Sequence, residues 1–207
     1  MMMRRIVLAI TLTVLIYAVP AAPGQAQALD SRDASAFVAT MVQEFFDTLG
    51  GKDLSRDERV RFLEHLIRTY GDIPSTSEAL LGKSWSQASD DEQNKFQRTL
   101  IAYMLAMWSN SLTDVSPQQK IVVTGAEPKG KYVLVRSFAT APGEDRTYVE
   151  WLVGAGDGDR LFVADVNVEG VSMVRVMKSD FSSVLVANSG RLSGLIAGMQ
   201  KKIDAVN

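Results

Sequence analysis

Two short segments of alternating character in the C-terminal half of the chain constrain its fold most. Along Tyr148–Val153 apolar side chains alternate between two faces, and Leu161–Val168 repeats the pattern. The glycine- and aspartate-rich segment GAGDGD joins the two. Strict period-two alternation on both sides of such a turn is typical of a hairpin in a half-buried antiparallel sheet. The rest of the chain therefore has to cover one face of a sheet.

The hydrophobic period changes close to Pro117, and near Asp180 it changes back to that of a helix. Before Pro117, apolar residues recur every three to four positions, which indicates amphipathic helices. After it, short turns separate segments of period two, and short turns require antiparallel neighbours, so we predict a meander. The four predicted strands are Ile121–Thr124, Lys131–Thr140, Arg146–Val153 and Arg160–Val168.

Capping sequences mark the starts of the predicted helices. Three segments match the capping box, in which a Ser precedes a Glu by three positions: Ser55–Glu58, Ser75–Glu78 and Ser89–Glu92. A helix over Ser31–Leu49 precedes them, and the longest one extends to about Leu112. A short helix over Phe181–Ala187 and a final one from Leu192 close the chain. The sequence therefore predicts an α+β domain, with N-terminal and C-terminal helices packed on one face of a four-stranded antiparallel sheet.

The first 28 residues have the composition of a signal peptide. Arg4 and Arg5 precede an apolar run over Ile6–Val19, and Ala26-Gln27-Ala28 offers an A-x-A cleavage site. A run of about 14 residues is short for a bilayer span but suits a signal peptide. We therefore predict cleavage after Ala28 and one exported domain over residues 29–207. The alternative is an uncleaved membrane anchor.

Composition argues against several classes of function. The formal net charge of −2 argues against nucleic acid as the main partner, because phosphate binding needs a basic surface. The chain has no cysteine and a single histidine, His65, which argues against disulfides, thiol chemistry and zinc or copper sites. Glu64 adjoins His65 but points elsewhere on a helix, so the two do not form a catalytic dyad. We expect no enzymatic activity and no cofactor.

The residues alone leave the nature of the interior open. The longest predicted helix carries large side chains, and the predicted strands opposite it carry small valines. The large side chains are Phe96, Tyr103, Met104, Met107 and Trp108. Such residues can interdigitate as a filled core, or they can leave an apolar cavity if the sheet curves away from the helices. An enzyme that uses His65 with an acidic partner in such a cavity is a further alternative.

Four features of the C-terminal half form a specific set: the strand V-x-W at Val149–Trp151, the Gly/Asp turn, VADVNVEGVSM and SDFSSVL. They resemble the C-terminal half of the MlaC family, also known as toluene-tolerance proteins. The segment Asp72–Leu112 resembles its helical half, with Leu81-Gly82, Gln93 and Phe96 in order. The resemblance covers about the whole mature chain, and DVNVEGVSM is its most specific part. The family motif marks Trp85, Trp151, Asp165, Glu169, Gly170, Val171 and Ser172.

This resemblance implies a periplasmic lipid-binding component of an Mla-type ABC transport system. The implied fold is NTF2-like or cystatin-like, with helices against a curved sheet and acyl chains held between them. The implied cargo is a phospholipid or, alternatively, a hopanoid-type lipid. The carrier, expected to be a monomer, would move it between an inner-membrane ABC transporter complex and an outer-membrane lipoprotein/porin complex. A filled-core envelope adaptor without cargo is the other reading.

By the same resemblance, apolar residues from both halves would line the cavity. They are Leu80, Leu81, Leu100, Tyr103, Met104, Met107, Trp108, Val133, Val135, Val149, Trp151, Val166, Val168, Val171 and Met173. Two carboxylates in the motif are expected to serve the fold. Gly170 invites an unusual backbone angle, and the side chains of Asp165 and Glu169 can accept hydrogen bonds from nearby N–H groups.

Overall fold

The computed structural model describes residues 29–50, 52–108, 118–156, 158 and 160–206. The helices of these residues are α1 (Ser31–Leu49), α2 (Arg56–Tyr70), α3 (Ile73–Leu81), α4 (Lys83–Ser86), α5 (Asp90–Trp108), α6 (Met173–Ala187) and α7 (Leu192–Val206). The strands are β1 (Lys120–Lys129), β2 (Tyr132–Thr140), β3 (Thr147–Ala155), β4 (Leu161–Val168) and β5 (Val171–Ser172). The predicted signal peptide and the predicted extension of α5 to Leu112 lie outside the described residues.

The strands form one antiparallel meander in the order β1-β2-β3-β4-β5. The predicted α+β class is confirmed, but the predicted number of four strands is wrong because β5 adds a fifth. Glu169 and Gly170 form the two-residue turn that joins β4 to β5, with φ of 50° and 82°. Two consecutive positive φ angles are typical of a type I′ hairpin turn. A strand of two residues is too short to show alternation, so the sequence pattern missed it.

Urea unfolding of the variant Gly170→Ala would measure the backbone strain at this turn. A Cβ atom placed on Gly170 would contact nothing within 4 Å, so Gly170→Ala should destabilise only through its positive φ, by about 1 kcal/mol. Gly125 is the matched control, because its Cβ position is equally open and its φ is not positive. Urea unfolding should show a loss of stability for Gly170→Ala and none for Gly125→Ala. Equal effects at both sites would contradict the role given to the turn.

Strand β1 is longer than predicted and contains a proline. The first strand was predicted to end at Thr124, whereas β1 continues to Lys129 and Pro128 pairs with Val133 inside the β1–β2 ladder. Because β1 is an edge strand, a residue without an N–H group can be accommodated on its unpaired side. The turn consists of Gly130 and Lys131, and Gly130 has φ of 64°.

The capping boxes are confirmed at two of the three predicted sites. Ser55 caps α2, and Ser89 exchanges hydrogen bonds with Glu92 at the start of α5. The box predicted at Ser75 is wrong, because α3 begins at Ile73 with Asp72 as its N-cap. The short helix predicted from Phe181 is also wrong at its start. Helix α6 begins at Met173, immediately after β5.

The apolar residues divide into two clusters. The sheet core joins α1 to one face of the sheet: Ala34, Val38, Val42, Val133, Val135 and Val153. The helical core joins α3, α5, α6 and α7, and Phe96 lies at its centre, fully buried. Helix α5 was expected to face the strands, but most of its apolar side chains pack in the helical core and α1 covers the valines of β2. The two clusters leave space between them.

The opposite face of the sheet carries a group of charged residues. Arg136 lies 2.5 Å from Glu127 and 3.5 Å from Glu150 across neighbouring strands. The Arg136 and Glu127 side chains are about half exposed, so these ion pairs contribute little to stability. Among the described residues, no helix is both long enough and apolar enough to cross a membrane.

Candidate ligand-binding cavity

A partly open cavity of about 310 Å³ lies between the two clusters. Its volume is at the lower end of the range usual for small-molecule sites. Helices α1, α2, α3, α5 and α6 and strands β3 and β4 all contribute to its wall. The lining residues are Met41, Leu66, Ile67, Tyr70, Gly71, Ile73, Thr76, Met104, Trp108, Trp151, Val163, Ala164, Asp165, Val166, Met173, Val174 and Met177.

The surface of the cavity is almost entirely apolar. Two lining residues, Tyr70 and Asp165, carry titratable groups, and both groups form hydrogen bonds within the protein. The Tyr70 hydroxyl donates to Glu44, and the Asp165 carboxylate accepts from Ser172 and Val174. The cavity therefore offers little for a polar ligand to bind. Methionines from three helices line it, and their flexible side chains adapt to variable apolar shapes.

Asp165 connects the end of β4 to the beginning of α6. Its Oδ1 accepts a hydrogen bond from the Val174 amide at 3.0 Å, and its Oδ2 accepts one from the Ser172 hydroxyl. The Ser172 hydroxyl in turn accepts from the Arg175 amide. These contacts satisfy free N–H groups at the start of α6. They position Met173, Val174 and Met177 on the cavity wall.

Glu169 performs a similar role on the other side of the hairpin turn. Its carboxylate accepts a hydrogen bond from the Tyr148 amide, and its own amide donates to the Tyr148 carbonyl. The expectation that the two motif carboxylates accept hydrogen bonds from backbone N–H groups is confirmed at both residues.

Trp151 is held in place by a buried serine. Its indole Nε1 donates to Ser137 Oγ at 2.9 Å, and Ser137 Oγ donates to the Val149 carbonyl at 2.8 Å. Ser137 is buried on the neighbouring strand β2. Because the indole N–H has a partner inside the sheet, Trp151 can present its apolar ring to the cavity. A lone serine in a strand gives no sequence signal for this role.

Five of the fifteen residues predicted to contact lipid line this cavity. They are Met104, Trp108, Trp151, Val166 and Met173. Leu80, Leu81, Leu100 and Tyr103 are buried in the helical core, and Met107 packs against it.

The other predicted residues belong to the sheet. Val133 and Val135 are buried beneath α1 in the sheet core. Val149 is buried on β3 and Val168 half-buried on β4, whereas Val171 is 49% exposed at the hairpin. None of these five residues is among those that line the cavity.

The sequence pattern missed most of the wall that α2, α3 and α6 provide. Ile67 and Tyr70 of α2 line the cavity, and neither was predicted to do so. Val174 and Met177 were missed because α6 was predicted to begin near Phe181. With the correct start at Met173, the spacing of Met173, Val174 and Met177 would have indicated one helical face.

Glu44 of α1 binds two residues of α2 at the edge of the cavity. Its Oε1 lies 2.7 Å from His65 Nε2, and its Oε2 accepts from the Tyr70 hydroxyl at 2.5 Å. The hydrogen bond from Tyr70, followed by the contact with His65, lowers the pKa of Glu44 below its ordinary value of 4.5. Burial, followed by the hydrogen bond to Glu44, raises the pKa of Tyr70 to about 12.

These shifts define the pH range in which the Tyr70–Glu44 hydrogen bond stabilises the fold. The raised pKa of Tyr70 contributes stability that is complete below pH 10.0 and is lost as the pH rises through about 12. The lowered pKa of Glu44 contributes stability that is present above pH 4.5 and is lost as the pH falls through the lowered pKa. The contact is therefore fully effective between about pH 4.5 and pH 10.

Tyrosinate absorbance should detect the Tyr70 shift directly. The difference between the wild-type titration and that of Tyr70→Phe should have a midpoint at a pKa of about 12 when read within milliseconds of a pH jump. The same difference measured in concentrated urea is the control, and it should return to the ordinary value of 10.0. A midpoint near 10 in the folded protein would contradict the geometry of this contact.

His65 does have an acidic partner, Glu44, but neither of the two residues lines the cavity. The His65 side chain is 53% exposed, and Thr69 Oγ1 lies 3.5 Å from its Nδ1. Glu64, the neighbour in sequence, pairs with Arg68 instead. The alternative of an enzyme required His65 to face a cavity, and the cavity described above does not include it. No group of three or more potential metal ligands occurs among the residues that the structure describes.

Comparison with known proteins places this fold in a family. The family described as "MlaC protein" matches residues 39–201, which include the whole cavity and the DVNVEGVSM hairpin. The chain belongs to the MlaC family. The resemblance seen in the sequence motifs is thereby confirmed. No curated protein matches the chain.

A solved structure shows that the MlaC-like fold extends over most of the chain. It is the phospholipid-binding protein from Ralstonia solanacearum in complex with a phospholipid, at 21% identity and a TM-score of 0.73. The match covers 84% of this chain and 98% of that one. At this level of identity the comparison establishes the fold. Within it, the MlaC motif residues Asp165, Glu169, Gly170 and Ser172 form the hairpin and the start of α6.

Proposed function

We propose that this MlaC-family protein is a periplasmic lipid carrier, in which the cavity between the two cores holds the acyl chains of a phospholipid. The observation that carries the proposal is the almost entirely apolar surface of that cavity. The Ralstonia solanacearum protein, which shares the fold, is described in complex with a phospholipid. The protein acts as a carrier without enzymatic activity or cofactor, and as a monomer.

A lipid in transit through water needs such an enclosure. Moving one methylene group out of water is worth about 0.8 kcal/mol, so two long acyl chains cost roughly 20 kcal/mol or more if exposed. A polar groove would not offset this cost. Because a bilayer and an apolar cavity are similar solvents for the chains, transfer between them is close to balanced. Docking at membrane proteins can then determine where the lipid is released.

The carrier moves lipid between an inner-membrane Mla-type ABC transporter complex and an outer-membrane lipoprotein/porin complex. The predicted signal peptide supports this location, with cleavage after Ala28 leaving Leu29–Asn207. A hopanoid-type lipid is the second candidate cargo, since an apolar wall containing Met104, Met173 and Met177 can adapt to a polycyclic shape.

Native mass spectrometry of the protein purified from a bacterial periplasm tests the proposal. We expect a chain that begins at Leu29 and carries an additional mass of lipid size, and lipid extraction then separates phospholipid from hopanoid. A protein without bound mass that also takes up no lipid from vesicles would contradict the carrier and favour an envelope adaptor. A mass that includes residues 1–28 would contradict the predicted cleavage alone.

A further inference from the structure

One wall of the cavity is a line of contact between the edge of the sheet and a bend in the helices. Strand β5 pairs with Asn167 and Val168, so among the residues that the structure describes no further strand lies beside Leu161–Val166 of β4, and these residues form an edge. The α2–α3 corner, residues 69–73, lies against this edge. We call the contact between the corner and β4 the seam. Gly71 and Val163 form a single parallel bridge across the seam, and both line the cavity.

The side chain of Arg160 forms two hydrogen bonds across the seam. Its Nη2 donates to the Gly71 carbonyl at 3.1 Å, and its Nη1 donates to the Thr69 carbonyl at 3.4 Å. Carbonyl groups at the end of a helix have no partner within the helix and carry a partial negative charge. A cation held there from another element both satisfies them and attracts them. Arg160 precedes β4 and is exposed, so water can replace its hydrogen bonds when they break.

The chain turns sharply at Gly71. A Cβ atom there would lie 2.5 Å from the Ile67 carbonyl oxygen, a distance that no side chain tolerates. The Gly71 amide donates to that same carbonyl at 3.0 Å and so ends α2. The corner is therefore a point where the direction of the backbone changes between two helices. On its α1 side the corner is tied through Tyr70, whose hydroxyl donates to Glu44 and whose ring packs edge-on against Phe37 at a centroid distance of 5.4 Å.

Opening any other wall of the cavity would require more free energy than opening the seam. Met104 and Trp108 belong to α5, and α5 and α6 are packed into the helical core. Trp151 is bonded within the sheet through Ser137. Separating those walls would expose buried apolar surface, whereas opening the seam breaks one bridge and the two exposed hydrogen bonds of Arg160. Regions held by few apolar contacts open locally at lower free energy than packed cores.

We propose that lipid enters and leaves through the seam, and that Arg160 is a positioning residue that keeps the seam closed. The proposal rests on the proposed function, because it assigns the path by which the cargo reaches the cavity. Arg160→Ala removes both hydrogen bonds. Arg160→Lys keeps the charge but replaces the planar fork by a single ammonium, which does not bind the two carbonyls in the same geometry.

Transfer of a fluorescent phospholipid from the loaded protein to phosphatidylcholine vesicles tests the path. We expect release about tenfold faster for Arg160→Ala, equivalent to about 1.4 kcal/mol, and an intermediate rate for Arg160→Lys. Arg68→Ala is the matched control, because Arg68 is an exposed arginine of α2 that pairs with Glu64 of the same helix, and it should release lipid at the wild-type rate. Urea unfolding of each variant shows whether stability has changed globally.

Hydrogen exchange provides a readout that a general loss of stability would not reproduce. In Arg160→Ala, amides of the corner and of α3 should exchange faster, while those of α5 and α7 in the helical core should keep the wild-type rates. Release rates within twofold of wild type, or faster exchange throughout the chain, would overturn the proposal. If the wild-type protein carries no lipid, the proposed function itself fails, and that outcome is distinct from unchanged release by a protein that does carry lipid.

Discussion

Val166→Trp should abolish lipid binding while leaving the fold intact. Val166 is half-buried, lines the cavity and lies opposite Trp151 on the neighbouring strand. An indole at this position extends into the space of about 310 Å³ between the two cores. Every two methylene groups that it displaces remove about 1.6 kcal/mol of favourable transfer, which is more than a tenfold loss of affinity. The measurement is the fraction of protein that carries lipid in native mass spectra.

Val168→Trp is the matched control for this result. Val168 has the same side chain, lies two residues further along the same face of β4 and is also half-buried, but it does not line the cavity. Its variant should retain wild-type lipid occupancy. Loss of lipid in both variants would indicate a general effect of a large residue in β4. Retention in both would show that the cargo lies elsewhere in the molecule.

Phe96→Ala should cause the largest loss of stability of any change considered for this protein. Phe96 is fully buried in the helical core, where its ring makes edge contacts with Trp85 and Phe181 at centroid distances of 6.5 and 6.1 Å. Removing a buried phenyl group loses its transfer free energy and leaves a cavity, which together cost about 3–5 kcal/mol. Urea unfolding measures this cost as a shift of the midpoint.

Val186→Ala at the end of α6 provides the reference for that measurement. Val186 is 81% exposed, so truncating it should change the free energy of unfolding by no more than about 0.5 kcal/mol. A loss below about 1 kcal/mol for Phe96→Ala would mean that the helical core is much less tightly packed than the structure indicates.

Local signals in the sequence were sufficient for most of the helices and strands. The capping residues Ser55 and Ser89 identify their helices because each forms hydrogen bonds with a glutamate three positions further along the chain. The failures occur where a distant residue decides the local structure. Helix α6 begins at Met173 because Asp165, eight residues earlier and on another element, binds the Val174 amide. Pro128 is tolerated because β1 is at the edge of the sheet, which no local pattern reveals.

The sequence predicted that the protein has an apolar cavity, but it did not predict where in the fold the cavity lies. Apolar faces identify which side chains point inward, and such faces correctly included Trp151, Val166 and Met104. They do not specify which inward faces meet. Val133 and Val135 have the same pattern as Val166, but α1 covers them and leaves Val166 uncovered. The wall from α2 and α3 depends on the seam with β4, where the contacting residues Thr69 and Arg160 are 91 positions apart in sequence.

The division of the interior into two clusters has a thermodynamic consequence for the proposed carrier. A lipid between the sheet core and the helical core touches both, so its acyl chains act as an exchangeable part of the protein interior. Binding to the folded state alone then adds stability in proportion to the logarithm of lipid concentration. The loaded protein would unfold as a more cooperative unit than the empty one. Delivery of the cargo is, in this sense, a temporary loss of core, which the carrier restores by taking up the next lipid.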